Sequence, residues 1–321
     1  MSQLLPLLFV LSALHVVPAA AQPYPTKAVR VVLPFPAGGA ADIIARLLAR
    51  KLGDGSGQNF VVDNRAGAAG IIGCELVARA PADGYTLLLG TTGTHTTNPA
   101  VFAKLPYDPV KDYAPVSLVA EAPFVLLVHP SLPARSVREL IAFARTRPGQ
   151  LNFASAGVGS SSHLGFELFN SMAGIKAVHV PYKGLGPASA DTIAGIITMT
   201  WDAIPSSKPM IERGRLRALG IGSLKRSPLL PAVPTIDEAG LPGFELGSWY
   251  GLFAPAGTAT DIVRQLYRET AKAVTTADVR NQFAAMGADA VGSTPEELAA
   301  VVQRDLAKWA KVARDVNLEK Q

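Results

Sequence analysis

Cysteine is nearly absent: Cys74 stands alone among 321 residues, so an intrachain disulfide is excluded. It lies in Gly70-Ile71-Ile72-Gly73-Cys74-Glu75-Leu76 with no second Cys or His close by, which reads as a packing position rather than a reactive thiol. Aromatics are scarce at 7% and charged residues at 17%, against a hydrophobic fraction of 49%. That balance excludes disorder and favours a buried core of small side chains, with 29 Gly and 25 Pro to turn the chain. The histidines (His15, His95, His129, His163, His179) show no metal-ligand spacing, and H-E-x-x-H is missing, so no metal is expected. Neither a phosphate loop nor a complete dinucleotide fingerprint occurs, so no cofactor is expected. The formal net charge is +5, but no Lys/Arg run alternates with aromatics, so nucleic acid is not an expected partner.

The N-terminus is apolar from Leu4 to Val17 and then reads Ala19-Ala20-Ala21 before Gln22. This is the length of a signal-peptide h-region with an A-x-A cleavage site, so residues 1–21 are expected to be removed on export. The basic stretch that ordinarily precedes an h-region is absent from residues 1–22. No later stretch reaches 18 unbroken apolar residues, so no membrane span is expected beyond it.

From Ala28 onward, short apolar runs alternate with segments of helical spacing. Residues 29–33 read as a strand and 42–52 as a helix, then 59–62 and 85–89 as strands around a helix near 70–80. The pattern restarts after about residue 122, with strands at 124–128, 151–154, 177–180, 197–201, 216–221 and 249–254. Ser136 with Glu139 forms a capping box at the head of another helix. The last 60 residues are mainly helical, at 261–274, 277–286 and 295–316. Strands separated by helices predict βαβ units. The first block has too little helix to cover both faces of a sheet, whereas the C-terminal block is helix with little sheet. The expected arrangement is two α/β lobes, 22–122 plus 249–321 and 123–248, joined by two crossovers that leave a central cleft.

Two strand–loop–helix junctions carry the functional argument. One is Leu33-Pro34-Phe35-Pro36-Ala37-Gly38-Gly39-Ala40-Ala41-Asp42; the other is Phe153-Ala154-Ser155-Ala156-Gly157-Val158-Gly159-Ser160-Ser161-Ser162-His163. Glycines after a strand leave backbone N–H groups uncovered, and the following helix start adds unpaired N–H groups and partial positive charge. One such loop on each lobe would hold the two ends of one anion. Asp42 reads as complementing its helix dipole. Asp202, at a strand end, reads first as structural, with contact to a ligand amine or hydroxyl as the alternative. A serine hydrolase built on Ser160 or Ser161 with His163 is the competing reading, but Ser and His so close at a helix start read better as capping, and G-x-S-x-G is missing.

With their neighbours, these loops resemble the Bug family, the solute-binding proteins of tripartite tricarboxylate transporters. The resemblance runs from Tyr24-Pro25 to the last helix. It rests on Pro36-Ala37-Gly38-Gly39 with Asp42, Asn64-Arg65-Ala66-Gly67, Asp83-Gly84-Tyr85-Thr86-Leu87-Leu88, Leu105-Pro106-Tyr107-Asp108-Pro109, and Ser155-Ala156-Gly157-Val158-Gly159-Ser160 with His163-Leu164. It continues through His179-Val180-Pro181-Tyr182-Lys183-Gly184, Pro234-Thr235 with Glu238-Ala239-Gly240, and Trp249-Tyr250-Gly251-Leu252-Phe253-Ala254-Pro255-Ala256-Gly257-Thr258. It implies a type II periplasmic-binding-protein fold and a periplasmic receptor, with no enzymatic activity, that closes on a small carboxylate. The partners it implies are the large and small membrane subunits of the transporter; a membrane signalling partner is the alternative, and a monomer is expected. The residues it implies at the ligand are Phe35, Ala37, Gly38 and Gly39 from the first loop, and Ser155, Gly157, Gly159, Ser160 and His163 from the second. Thr91 and Thr92 would line one wall, Tyr182 and Asp202 the other; Lys183 is left as a turn residue. Alanines in Ala66-Gly67-Ala68-Ala69-Gly70 stand where the family often has Pro and Gly. Trp201 and Ala203 stand where Phe and Ser or Asn are commoner, a change expected to touch the pocket.

Overall fold

The computed structural model describes residues 24–316, 318 and 320; the expected signal segment lies outside the described residues. The chain opens with β1 (Val29–Leu33), α1 (Ala40–Ser56), β2 (Phe60–Asn64), α2 (Ile71–Ala78) and β3 (Thr86–Thr91). A π-turn over Gly93–Thr97 leads into the short α3 (Asn98–Val101) and the long β4 (Tyr113–Val128). Then follow α4 (Val137–Arg145), β5 (Asn152–Ser155), α5 (Ser161–Ala173), β6 (Val178–Pro181), α6 (Leu185–Ile193), β7 (Met199–Ala203), α7 (Ile204–Glu212) and β8 (Arg217–Ile221). The chain closes with β9 (Gly247–Pro255), α8 (Thr260–Thr275), α9 (Ala277–Met286), β10 (Asp289–Ala290) and α10 (Pro295–Asp315).

The elements obey their local chemistry. β1 is Val-rich and buried, as a central strand should be. α1 ends where Gly57 takes a left-handed conformation at φ 70°, which its missing Cβ permits. Ser136 caps α4 by accepting the Glu139 N–H, and Thr294 with Glu297 completes a reciprocal capping box on α10, with proline in its first turn.

The strands divide into two groups that share β4. On one side the order is β2-β1-β3-β9-β4, with β1, β2 and β3 parallel and β9 antiparallel to both neighbours. On the other side β4 continues between β7 and β8, both antiparallel to it, and β5 pairs in parallel with β7 and β6. The strands β1–β3 and β5–β7 therefore pair in parallel, as βαβ units require, while every antiparallel pair includes β4 or β9. α8 and α10 return to pack on β4, and α8 also packs on α1.

One reading needs correction. The pattern was expected to restart after residue 122 with a fresh strand at 124–128, but β4 runs unbroken from Tyr113 to Val128. It pairs with β9 up to Pro123 and with β7 from Phe124. Two prolines, Pro115 and Pro123, mask the strand in the sequence. The register shifts near Pro115, the sort of irregularity that accommodates a residue without an N–H.

Candidate functional site

The first loop leaves β1 and reaches α1 through Gly38, whose φ of 91° favours glycine, and Gly39, the N-cap, which offers no side-chain cap. Asp42 supplies the missing support from inside the helix. Its buried carboxylate accepts the Gly38 N–H at 3.1 Å, Arg46 Nε at 3.0 Å and Asn64 Nδ2 at 3.0 Å. Asn64 also donates to the Phe35 carbonyl at 3.0 Å. Burial alone would push the Asp42 carboxyl up, but the Arg46, Asn64 and Gly38 donors outweigh it and hold it below the usual carboxylate range. Asp42 is thus a brace for the loop, more than a dipole complement. Among the described residues, the Ala40 and Ala41 N–H groups at the start of α1 have no hydrogen bond within the chain.

The second loop is more self-contained. Ser155 Oγ accepts the Gly157 N–H at 3.1 Å and shares a 2.6 Å hydrogen bond with His179 Nε2. Ser162 Oγ takes the Ala156 N–H at 3.0 Å, and His163 Nδ1 takes the Gly159 N–H at 3.3 Å. Ser160 caps α5 by accepting the His163 N–H at 3.2 Å while its hydroxyl donates to the Gly157 carbonyl at 2.7 Å. The N–H groups left over in this loop are those of Val158 and, in the first turn of α5, Ser161 and Ser162. Gly157 and Gly159 hold φ of 123° and 83°. The His163 and His179 rings stack at 4.0 Å; burial lowers His163 to about 4, and burial plus the His163 charge lowers His179 to about 3, so both are neutral at pH 7.

The two loops lie at a place where the lobes touch. A Cβ built on Gly184, ahead of α6, would lie 3.6 Å from Pro36 in the first loop. One built on Gly93 would lie 3.7 Å from Ser161 Oγ, and one on Gly159 would lie 2.7 Å from Phe102 and 2.9 Å from Asn98 Oδ1. Pro36 of the first loop thus sits near Gly184, and the second loop meets the π-turn and α3 of the first lobe through Ser161 and Gly159; a Cβ on Gly38 or Gly39 would meet nothing within 4 Å. Thr91 and Thr92 are buried: the Thr91 N–H donates to Thr94 Oγ1 at 2.9 Å, and Thr92 Oγ1 accepts the Trp249 N–H at 3.0 Å.

The remaining expected residues separate. The Tyr182 hydroxyl is engaged with Asp191 at 2.6 Å, which pushes it up to about 12. Lys183 is exposed and makes no hydrogen bond or ion pair among the described residues. Asp202 is 4% exposed and bonded to Ser189, Ser206 and the Ala203 N–H; burial pushes it up to about 6 against the pull of those bonds. Trp201 was expected to alter the pocket but does not reach it. It is wholly buried and stacks on Phe244 at 5.6 Å, beside Phe166 and Phe169, so strand alternation sends it into the core while Asp202 takes the opposite face.

A recess of about 520 Å³ lies elsewhere, between residues 223–228, 245–249 and α10. Of the expected site residues only Thr92 lines it, and no helix begins there. Of its four basic side chains, Arg226, Arg304 and Lys308 are already paired with Glu238, Asp305 and Glu245, whereas the loops keep unspent backbone donors and remain the stronger candidate. Thr97 and Asn98 escaped the sequence reading, and Ser161 entered it only as a candidate hydrolase nucleophile. Their signal was the run Gly90-Thr91-Thr92-Gly93-Thr94-His95-Thr96-Thr97, small and polar yet placed directly after a buried strand.

Comparison with known proteins agrees in sequence and in shape. The family described as Tripartite tricarboxylate transporter family receptor matches residues 44–318. Protein BugT of Bordetella pertussis is 39% identical over 309 residues, 96% of this chain and 95% of BugT. Rpa4515 of R. palustris, solved with adipate, superposes with a TM-score of 0.90 at 41% identity, covering 93% of this chain and all of that one. MatC (Rpa3494) from Rhodopseudomonas palustris, solved with bound malate, gives 0.86 at 37% identity, covering 90% and 99%. The two lobes and the two crossovers are those of a type II periplasmic binding protein, and the chain belongs to the tripartite tricarboxylate transporter receptor family, among the solute-binding proteins related to Bug.

Proposed function

We propose that this receptor clamps a small carboxylate between the first turns of α1 and α5. The observation that carries the reading is two pairs of unspent donors, Ala40 and Ala41 N–H on one lobe and Ser161 and Ser162 N–H on the other, each at the head of a helix that follows a glycine-rich loop. The dipole of each helix start contributes roughly 0.3–1 kcal/mol, so the hydrogen bonds must supply most of the grip. Phe35, Ala37, Gly38 and Gly39 shape one half; Ser155, Gly157, Gly159, Ser160 and His163 shape the other. Thr91, Thr92 and Asp202 line the floor, and Tyr182 holds the second half from outside. The lobes are 22–122 plus 249–321 and 123–248, hinged where β4 and β9 run together.

The solute is bound and released unchanged. The Ser160 hydroxyl is spent on capping, and His163 Nδ1 is spent on the Gly159 N–H, so the Ser160–His163 pair is not arranged as nucleophile and base. No helix among the described residues is long and apolar enough to cross a membrane. Residues 1–21 act as a cleaved export signal, and the closed monomer delivers its solute to the large and small membrane subunits of the transporter. A thermal-shift screen tests this, with adipate and malate first, then mono- and tricarboxylates, a sugar and a divalent metal. Carboxylates should raise the melting temperature by mass action. A response to the sugar or the metal alone would overturn the proposal, and labelling by a fluorophosphonate would overturn the non-enzymatic part.

A further inference from the structure

Asp202 holds a buried negative charge with no basic side chain among its hydrogen-bond partners. Its Oδ1 is full, accepting the Ala203 N–H at 2.8 Å and the Ser206 hydroxyl at 2.6 Å. Its Oδ2 accepts only the Ser189 hydroxyl, at 2.9 Å. An ionised carboxylate has about four acceptor sites, so one remains on Oδ2. A buried charge left short of a partner is costly, unless a ligand completes it.

Its position joins both lobes. Ser189 belongs to α6, whose leading Gly184 faces Pro36; Ser206 belongs to α7, whose Ile204 lies 2.5 Å from the Cβ that Gly287 would carry. Tyr250 of β9 is near enough to sense its charge. Asp202 thus bonds to two second-lobe helices, α6 and α7, that each adjoin a residue of the first lobe.

Resting on the carboxylate reading above, we infer that Asp202 makes the receptor select carboxylates that carry a hydroxyl or ammonium group. A carboxylate oxygen is acceptor-only: it welcomes an O–H or N⁺–H and repels a second anion. A site built around a donor disfavours the analogue that lacks it, because the acceptor is then buried and unmet. One hydrogen bond to a charged group corresponds to about 10- to 100-fold in affinity.

Titration calorimetry at pH 7.5 tests this on length-matched series: succinate against malate and aspartate, and adipate against 2-hydroxyadipate and 2-aminoadipate. The donor-bearing member of at least one series should bind about 10- to 100-fold more tightly than its parent. Asp202→Asn should shrink that ratio to about 3-fold or less, since the amide loses the charge and half the acceptor capacity. Ser189→Ala, which keeps the carboxylate and frees Oδ2 further, should preserve or enlarge it, and serves if Asp202→Asn fails to fold. Equal affinity within both series, or a preference unchanged by Asp202→Asn, would overturn the role of Asp202. Failure of every member of both series to bind would instead sink the carboxylate reading.

Discussion

The Thr97 hydroxyl of the first lobe donates a hydrogen bond to the Gly159 carbonyl of the second. That bond ties the π-turn after β3 to the loop ahead of α5, residues 62 apart in the chain. Thr97→Val keeps the shape and removes the bond, so the closed form should lose about 1 kcal/mol, or about five-fold in solute affinity. Gly159→Ala should weaken binding more. Its φ of 83° disfavours a side chain, and the new Cβ would press on Phe102 and Asn98. Calorimetry with a bound carboxylate checks both, and unchanged affinity would show that this contact does not support closure.

Asp42 braces the first loop from three sides. Asp42→Ala strands the Gly38 N–H and frees Asn64, and should lower stability by about 1–3 kcal/mol together with solute affinity. Asp42→Asn should lie between the two, since it retains an acceptor but not the charge that pairs with Arg46. Denaturant melts alongside binding isotherms measure this. Stability lost without any loss of affinity would separate the brace from the site.

Ala68 and Ala69 occupy left-handed backbone at φ 47° and 53°. An L side chain there costs roughly 1–2 kcal/mol. Ala69→Gly should therefore raise the melting temperature, the relief being partly offset by the greater entropy of the unfolded chain. The Ala69 carbonyl accepts from Asn98, so the bond should persist in the variant. A lower melting temperature would show that the strain is absent.

The stacked His163–His179 pair is held neutral by burial, with folded values of about 4 and 3 against an ordinary 6.5. Between those limits the unfolded chain takes up protons that the folded chain refuses, so this contribution is complete above pH 6.5 and is lost as pH falls. Asp202, raised to about 6, works oppositely and gains stability as pH falls from 6 toward 4. His179→Gln removes one histidine and leaves Asp202. Its melting temperature should decline less than that of the unaltered protein between pH 6.5 and 4.5. Parallel curves would show that His179 is not held neutral.

Much of this was legible before any fold was known. The Val-rich run of β1, the 3.6-residue spacing of α1 and the capping pair of α4 are local patterns, fixed by the period of the backbone and the needs of helix ends. Gly38 and Gly159 marked the loops because a backbone with positive φ restricts which residue it accepts. Tertiary structure decided the rest. It alone joined residues 113–123 and 124–128 into one strand, because the pairing of β4 with β9 and β7 overrides its prolines. It sent Trp201 into the core, set Asp42 under the loop, and left Ser161 and Ser162 with unspent N–H groups while their neighbours' were consumed. Each of these depends on what lies across the lobe or across the sheet. A sequence states which donors and acceptors exist; only the packed chain settles which of them remain free.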